Sequence, residues 1–220
     1  MQKYVQDWKV AKKNIPLRDF FTKILTKNLY MLNIILFGAP GCGKGTQAKR
    51  LAERYDLYHI STGEVIRSEI ARGTELGKSM EGYISRGELA PDSIVVEMVR
   101  DYMRTHADKG CIFDGFPRTT AQAEIFDTML DEIGAKVSTM IFMDVPEEEL
   151  VKRILLRGKE SGRADDASEE VIRNRIEVYR QQTAIVADYY TKQGKYSEVN
   201  GLGTMDEVFD RLSEVINKAE

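Results

Sequence analysis

The stretch Gly38-Ala39-Pro40-Gly41-Cys42-Gly43-Lys44-Gly45-Thr46 most restricts the folds open to this chain. It follows an apolar run, Leu32 to Phe37, that reads as a buried strand, and it precedes Gln47 to Tyr55, whose composition suits a helix. A glycine-rich turn between strand and helix lets backbone N–H groups close around an anion at the positive end of the helix. Lys44 adds a mobile positive charge for the outer phosphates. The pattern is G-x-x-x-x-G-K, in the strand–turn–helix setting that gives it meaning. The residue after the lysine is usually Ser or Thr, which holds Mg²⁺; here it is Gly45, and Thr46 comes one place later. Glycine cannot ligate a metal. A magnesium ion at this loop would rest on phosphate oxygens, water and a carboxylate from elsewhere, leaving Thr46 as a hydroxyl for phosphate.

A chain of 220 residues, 42% of them hydrophobic, suits one core domain with small excursions. A net charge of −3 argues against a broad nucleic-acid surface. Cys42 and Cys111 form neither a metal-ligand spacing nor a disulfide framework, so reduced thiols and a cytoplasmic location are expected. Cys42 reads as a small filler rather than an oxidant sensor. No apolar run reaches the ~18 residues of a membrane span. The first 30 residues stand apart, with seven Lys/Arg against Asp7 and Asp19; that is +5, which leaves −8 for residues 31–220. Asp19 to Leu29 has the pattern of a short amphipathic helix. No signal peptide is visible there. The segment is expected to be a flexible extension, with the working domain at 31–220.

Further along, short apolar runs alternate with helical patterns. Strands are predicted at Leu57–Ile60, Cys111–Phe113, Val137–Val145 and Lys195–Val199. Helices are predicted at Glu64–Arg72, Ser93–Met103, Thr119–Ile133, around Val151–Leu156, over the whole of Glu169–Gln193, and at Met205–Lys218. Such alternation predicts an α/β fold: a parallel five-stranded sheet behind the phosphate loop, with helices on both faces. Residues 61–91 and 157–168 read as two excursions from that core, a helical one and a short lid.

Ligands of such sheets bind beyond the carboxyl ends of the strands. One strand ends in the phosphate loop; another ends in Asp114-Gly115-Phe116-Pro117-Arg118. Asp114 is placed to hold the waters of a metal ion. Arg118 can grip a phosphate by its planar fork. Arg153, Arg157, Arg163, Arg173 and Arg175 gather around the second excursion, with Asp165 and Asp166 between them. Beside a phosphate loop, such a flap neutralises charge and excludes water. His59 and His106 fall outside these motifs and read as structural.

These residues, with STGEVIR at 61–67, DGFPRTTAQA at 114–123, RILLRGKESGRADD at 153–166 and NRIEVYRQQT at 174–183, closely resemble the adenylate kinases. Those enzymes are nucleoside monophosphate kinases that interconvert ATP plus AMP with two ADP. The resemblance runs from Leu32 to the C-terminus. It implies that Lys44 and the backbone of Pro40, Gly41, Cys42, Gly43, Gly45 and Thr46 hold the phosphates of ATP. Arg153 and the backbone around Gly203 would take its adenine. Thr62, Arg67, Leu89, Ala90, Gly115, Arg118 and Gln122 would form the AMP site, with Gln122 reading the adenine edge. Arg157, Arg163 and Arg175 would reach the transferring group, making them and Lys44 and Arg118 the catalytic set. Asp114 would orient magnesium-bound water. Only six positions separate Arg157 from Arg163, so the lid resembles the short form, without zinc ligands. Around Ala167-Ser168 the pattern shifts by one residue, which makes Arg175 rather than Arg173 the expected lid arginine.

The resemblance further implies Mg²⁺ as cofactor, ATP, AMP and ADP as partners, a monomer, and no nucleic acid or membrane partner. A UMP/CMP kinase shares the short lid, but commonly has alanine at the place of Thr62 and asparagine near that of Thr119. A non-catalytic nucleotide sensor usually lacks the arginines present here.

Overall fold

The structure is a computed structural model, which describes residues 31–106, 108–161, 163–166 and 168–219. The expectations for residues 1–30 therefore lie outside the described residues. Five short apolar runs become parallel strands: β1 (Asn33–Phe37), β2 (Tyr58–Ser61), β3 (Cys111–Asp114), β4 (Thr139–Asp144) and β5 (Tyr196–Asn200). Their order is β2-β3-β1-β4-β5. Ile35 is in register with Phe113 on one side and Met140 on the other. Every residue of β1 is buried, as expected of a central parallel strand covered on both faces.

The two-residue period of the strands sorts their side chains into two cores. Ile35, Phe37, Phe113 and Met140 pack on one face. Ile34, Leu36, Ile112, Ile141 and Met143 pack on the other. Helix α1 (Lys44–Arg54), α6 (Glu147–Ser161) and α9 (Met205–Ala219) cover the second face. Buried Val208, Leu212 and Ile216 of α9 recur every four residues, the spacing of one helix face. On the first face lie α4 (Asp92–Thr105), α5 (Thr120–Asp131) and α8 (Val186–Thr191). From β1 the chain winds outward to β2 and back to β3, then crosses to β4 and β5. The winding reverses at β1, whose carboxyl end carries the glycine-rich loop. Open α/β sheets place their crevice at such a point.

The helices α2 (Thr62–Ala71) and α3 (Glu75–Arg86) form the first excursion. Ser61 and Thr74 cap them through their hydroxyls. Gly77 sits where the two helices touch; a Cβ there would stand 2.2 Å from Glu69 O.

The helix expected over 169–193 is not continuous. It divides into α7 (Glu169–Val178), a π-turn at Tyr179–Thr183 and α8. The Ala184 N–H bonds Tyr179 O, five residues back, and the wider turn seats the Tyr179 ring 5.8 Å from that of Phe37. Periodicity alone does not reveal one inserted residue, and π-turns of this kind recur at functional sites. The polar stretch after residue 157 also differs from a plain loop: α6 continues to Ser161, and Gly158 packs so closely that a Cβ would lie 2.6 Å from Asp166 O.

Candidate active site

Beyond β1 and β3 opens a cleft of about 590 Å³. The phosphate loop forms its floor. Gly43, with φ +100°, turns the chain into α1, and no side chain caps that helix. Among the described residues no side chain takes up its first N–H groups, and the macrodipole favours an anion there. Lys44 Nζ donates to Gly38 O at 2.6 Å and to Ala39 O at 3.0 Å, which lays the ammonium along the loop. Pro40, Gly41, Gly43, Lys44, Gly45 and Thr46 all line the cleft. The Cys42 side chain turns into the core instead, 3.4 Å from Lys44 Nζ. Both cysteines are free and buried.

Asp114 ends β3 beside this floor. A Cβ on Gly45 would stand 3.4 Å from its Oδ2, in ordinary contact, so the carboxylate lies directly against the usual Ser/Thr place of the loop. Burial opposes the ionised form, but His59, Lys44 and Arg118 outweigh it and hold the carboxyl below its ordinary range. His59 Nε2 lies 3.9 Å from Asp114 Oδ2, buried and without a hydrogen-bond partner among the described residues. An ionised carboxylate beside a phosphate loop is a group that can accept hydrogen bonds from the water shell of a magnesium ion.

The turn after Asp114 builds the second wall. Gly115 O accepts from Thr62 Oγ1 at 2.8 Å and from Arg118 Nε at 2.7 Å. Gly115 has φ +79°, and a Cβ there would collide with Arg118 Nη2 at 2.8 Å. Thr62, Arg67, Leu89, Ala90 and Gln122 line this side. Arg67 is driven down to about 10, first by burial and then by Arg163. It still carries its charge at neutral pH. Arg118 is also lowered by burial.

The arginines expected in the lid converge on two buried aspartates. Arg157 grips Asp166 through Nε and Nη2, at 2.7 and 3.0 Å. Arg163 grips Asp165 at 3.0 and 2.6 Å, and Arg175 Nη1 bonds Asp166 Oδ1 at 2.5 Å. All three arginines reach the cleft. Arg173 does not: it is exposed and paired with Glu169 on the outer side of α7. Arg153 and Gly203 stand outside the cleft lining. Arg153 Nη1 bonds Gly201 O at 3.3 Å, which brings α6 next to the 201–203 loop. Residues the sequence reading passed over also face the cleft, notably Glu64, Tyr179 and Thr183. The π-turn places the last two. Behind Gln122 stands Asp92, the first residue of α4 and outside the residues that the sequence singled out. Among the described residues no group of three metal-binding side chains occurs. No described helix is long and apolar enough to cross a membrane.

Comparison with known proteins gives the same assignment. A family model described as adenylate kinase matches residues 36–195. The adenylate kinase of Phocaeicola vulgatus is 52% identical over 189 residues, 86% of this chain and 100% of its own length. That of Bacteroides thetaiotaomicron is 52% identical over 189 residues, with the same shares. That of Porphyromonas gingivalis strain W83 is 48% identical over 189 residues, 86% of this chain and 97% of its own length. With its phosphate-loop sheet, its arginine-lined cleft and relatives matched along 97% of their length or more, this chain belongs to the adenylate kinase family.

Proposed function

We propose that the cleft transfers the terminal phosphoryl group of ATP to AMP, giving two ADP, with the donor on the phosphate loop and the acceptor against Thr62, Arg67, Arg118 and Gln122. The observation that carries this is the convergence of Lys44, Arg118, Arg157, Arg163 and Arg175 on one cleft beside a buried amide pocket. The acceptor needs no base: a phosphate monoester has its second pKa near ~6 and is largely a dianion at pH 7. No histidine lines the cleft, in keeping with that chemistry. What this chain supplies is in-line positioning and charge neutralisation. Lys44 and the α1 N-terminus hold the donor phosphates. Arg118 holds the acceptor phosphate, and the lid arginines face the group in transit. Magnesium carried with ATP supplies further neutralisation, and Asp114 is the residue that would hold its water. Arg153 and the loop at Gly203 are assigned the donor base. The helices α2 and α3 and the lid at 157–168 close over the nucleotides and exclude water. Both pockets come from one chain, which supports a working monomer; the two free thiols support a cytoplasmic setting.

Phosphoryl transfer from ATP, measured against AMP, UMP, CMP, GMP and shikimate, tests the reading. AMP is expected to lead by at least ~10²-fold in kcat/KM. Equal turnover of UMP would make the acceptor pocket a pyrimidine site.

A further inference from the structure

Gln122 is buried, 1% exposed, and both ends of its amide are engaged. Its Oε1 accepts the Arg118 backbone N–H at 2.8 Å. Its Nε2 donates to Asp92 Oδ1 at 2.6 Å. Asp92 Oδ2 accepts from Thr119 Oγ1 at 2.8 Å, so both carboxylate oxygens are held. Thr119 Oγ1 in turn accepts the Gln122 N–H at 3.2 Å. The partners, not the atom labels, decide how this amide faces: a carboxylate only accepts and a backbone N–H only donates. Rotating the amide by half a turn would set its NH₂ against an N–H and its carbonyl against a carboxylate. Asp92 itself is not part of the cleft lining.

We propose that Asp92 is a specificity-determining positioning residue, which locks the Gln122 amide in the one orientation that selects adenine over 6-oxopurines in the acceptor. The proposal rests on the reading above that Gln122 meets the acceptor base. An amide oxygen has two lone pairs and an amide nitrogen two hydrogens. Each end of Gln122 spends one within the protein and keeps one for the cleft, an acceptor beside a donor. At its N1 edge adenine offers the complementary pair, the 6-amino donor beside the N1 acceptor, which a Gln amide can match two-fold. Hypoxanthine and guanine reverse that edge, with an oxygen acceptor beside an N–H donor. A freely rotating Gln would serve either base. Fixed by Asp92 and the Arg118 N–H, it serves adenine and leaves a 6-oxopurine with two mismatched polar groups in a dry pocket. Asparagine at position 92 can present either an oxygen or an NH₂ to Gln122, and so releases one of the two locks.

The test measures kcat/KM for AMP and IMP at fixed ATP in the full chain, in Asp92→Asn, in Gln122→Ala and in the double variant, with the KM for ATP as reference. The ratio of AMP to IMP is expected to fall ~10-fold in Asp92→Asn, the scale of one net hydrogen bond, through a higher AMP KM and a lower IMP KM. In the Gln122→Ala background the Asp92 change is expected to have little further effect, because the two act as one unit. Asp92→Ser serves as a second variant if asparagine disturbs the start of α4. An unchanged ratio in folded Asp92 variants, while Gln122→Ala lowers it, would overturn the lock and leave the pocket assignment standing. An equal fall with and without Gln122 would also overturn it. If Gln122→Ala itself left AMP and IMP untouched, the assignment of the acceptor base to Gln122 would fail, and the lock with it.

Discussion

Lys44 reaches two carbonyls of its own loop, so its ammonium is held where a polyphosphate on α1 would meet it. Arg118 is held by Gly115 O through Nε, which leaves the rest of its fork for the cleft. Both are preorganised charges, and losing one such donor typically costs on the order of 10²-fold in turnover. Lys44→Ala and Arg118→Ala are each expected to lose at least ~10²-fold in kcat while the fold persists. Steady-state assays beside thermal unfolding check this, and near-normal turnover in a folded variant would remove that residue from the site. Gln122→Ala is expected to act differently, raising the KM for AMP with the KM for ATP held, since a base edge loses its amide partner. The reverse pattern would exchange the two pockets. At this scale legibility follows sequence distance. Asp114, Gly115, Arg118 and Gln122 lie on one run of nine residues, and a turn after a strand can be read from such a run. Asp92 lies 30 positions before Gln122, and only the packing of α4 against α5 joins them. A Pro-Asp pair announces a helix start and nothing about the amide it will hold.

In the segment proposed as a lid, Arg157, Arg163 and Arg175 share two carboxylates, Asp165 and Asp166. Burial raises Asp165, but Arg163 and Arg175 more than offset this, and its pKa falls from 3.8 to about 2. A carboxyl whose folded value is depressed stabilises the fold above its unfolded value and loses that contribution as pH falls through the folded one. Denaturant midpoints are therefore expected to drop between about pH 4 and pH 2 more steeply in the parent chain than in Asp165→Asn. Parallel curves would show that Asp165 is not coupled to folding. Asp166, whose side chain is 0% exposed, bonds both Arg157 and Arg175. Asp166→Ala would leave arginines facing one another across a half-buried cluster, and a loss of about 2–4 kcal/mol with at least ~10-fold lower kcat is expected. Chemical unfolding and turnover check it together; loss of stability without loss of rate would make the cluster a brace only. Between α2 and α3 the constraint is steric. A Cβ on Gly77 would stand 2.2 Å from Glu69 O and 2.3 Å from its carbonyl carbon, both backbone atoms that cannot step aside. Gly77→Ala is expected to lower stability by about 1–3 kcal/mol despite its better helix propensity, as overpacking does. A rise in the thermal midpoint would show that the two helices part freely. Strand and helix alternation was legible here because it rests on periodicity. The π-turn at Tyr179–Thr183 was not, because one inserted residue leaves no mark on periodicity, and the contact it makes, Tyr179 on Phe37, joins positions far apart in sequence.

At the scale of the whole molecule, charge is divided unevenly along the chain. Residues 1–30 carry +5 and the remainder −8, while the cleft gathers arginines within that acidic remainder. The parallel sheet, its switch point at β1 and the placing of the P-loop all follow from residues after 31, and every residue assigned to the site falls between 38 and 203. The described fold opens at Met31, whose carbonyl accepts from Asn33 Nδ2 and Ser138 Oγ and which is buried in the core that also holds Ile35 and Val137. A chain beginning at Met31 keeps these contacts. Its net charge moves from −3 to −8, because +5 is removed, which weakens long-range attraction for anionic nucleotides only modestly at physiological salt, where charges beyond ~8 Å are screened. The arginines assigned to phosphate would act at contact distance, where that screening matters little. The shortened chain is therefore expected to fold, to keep its preference for AMP, and to match the full chain at saturating nucleotide. Any difference should appear as a KM that varies more with ionic strength in one form than in the other. Thermal midpoints and kinetics of the two forms, compared at low and high salt, decide the matter. A shortened protein that is insoluble, or several-fold slower at saturation, would make residues 1–30 part of the working enzyme.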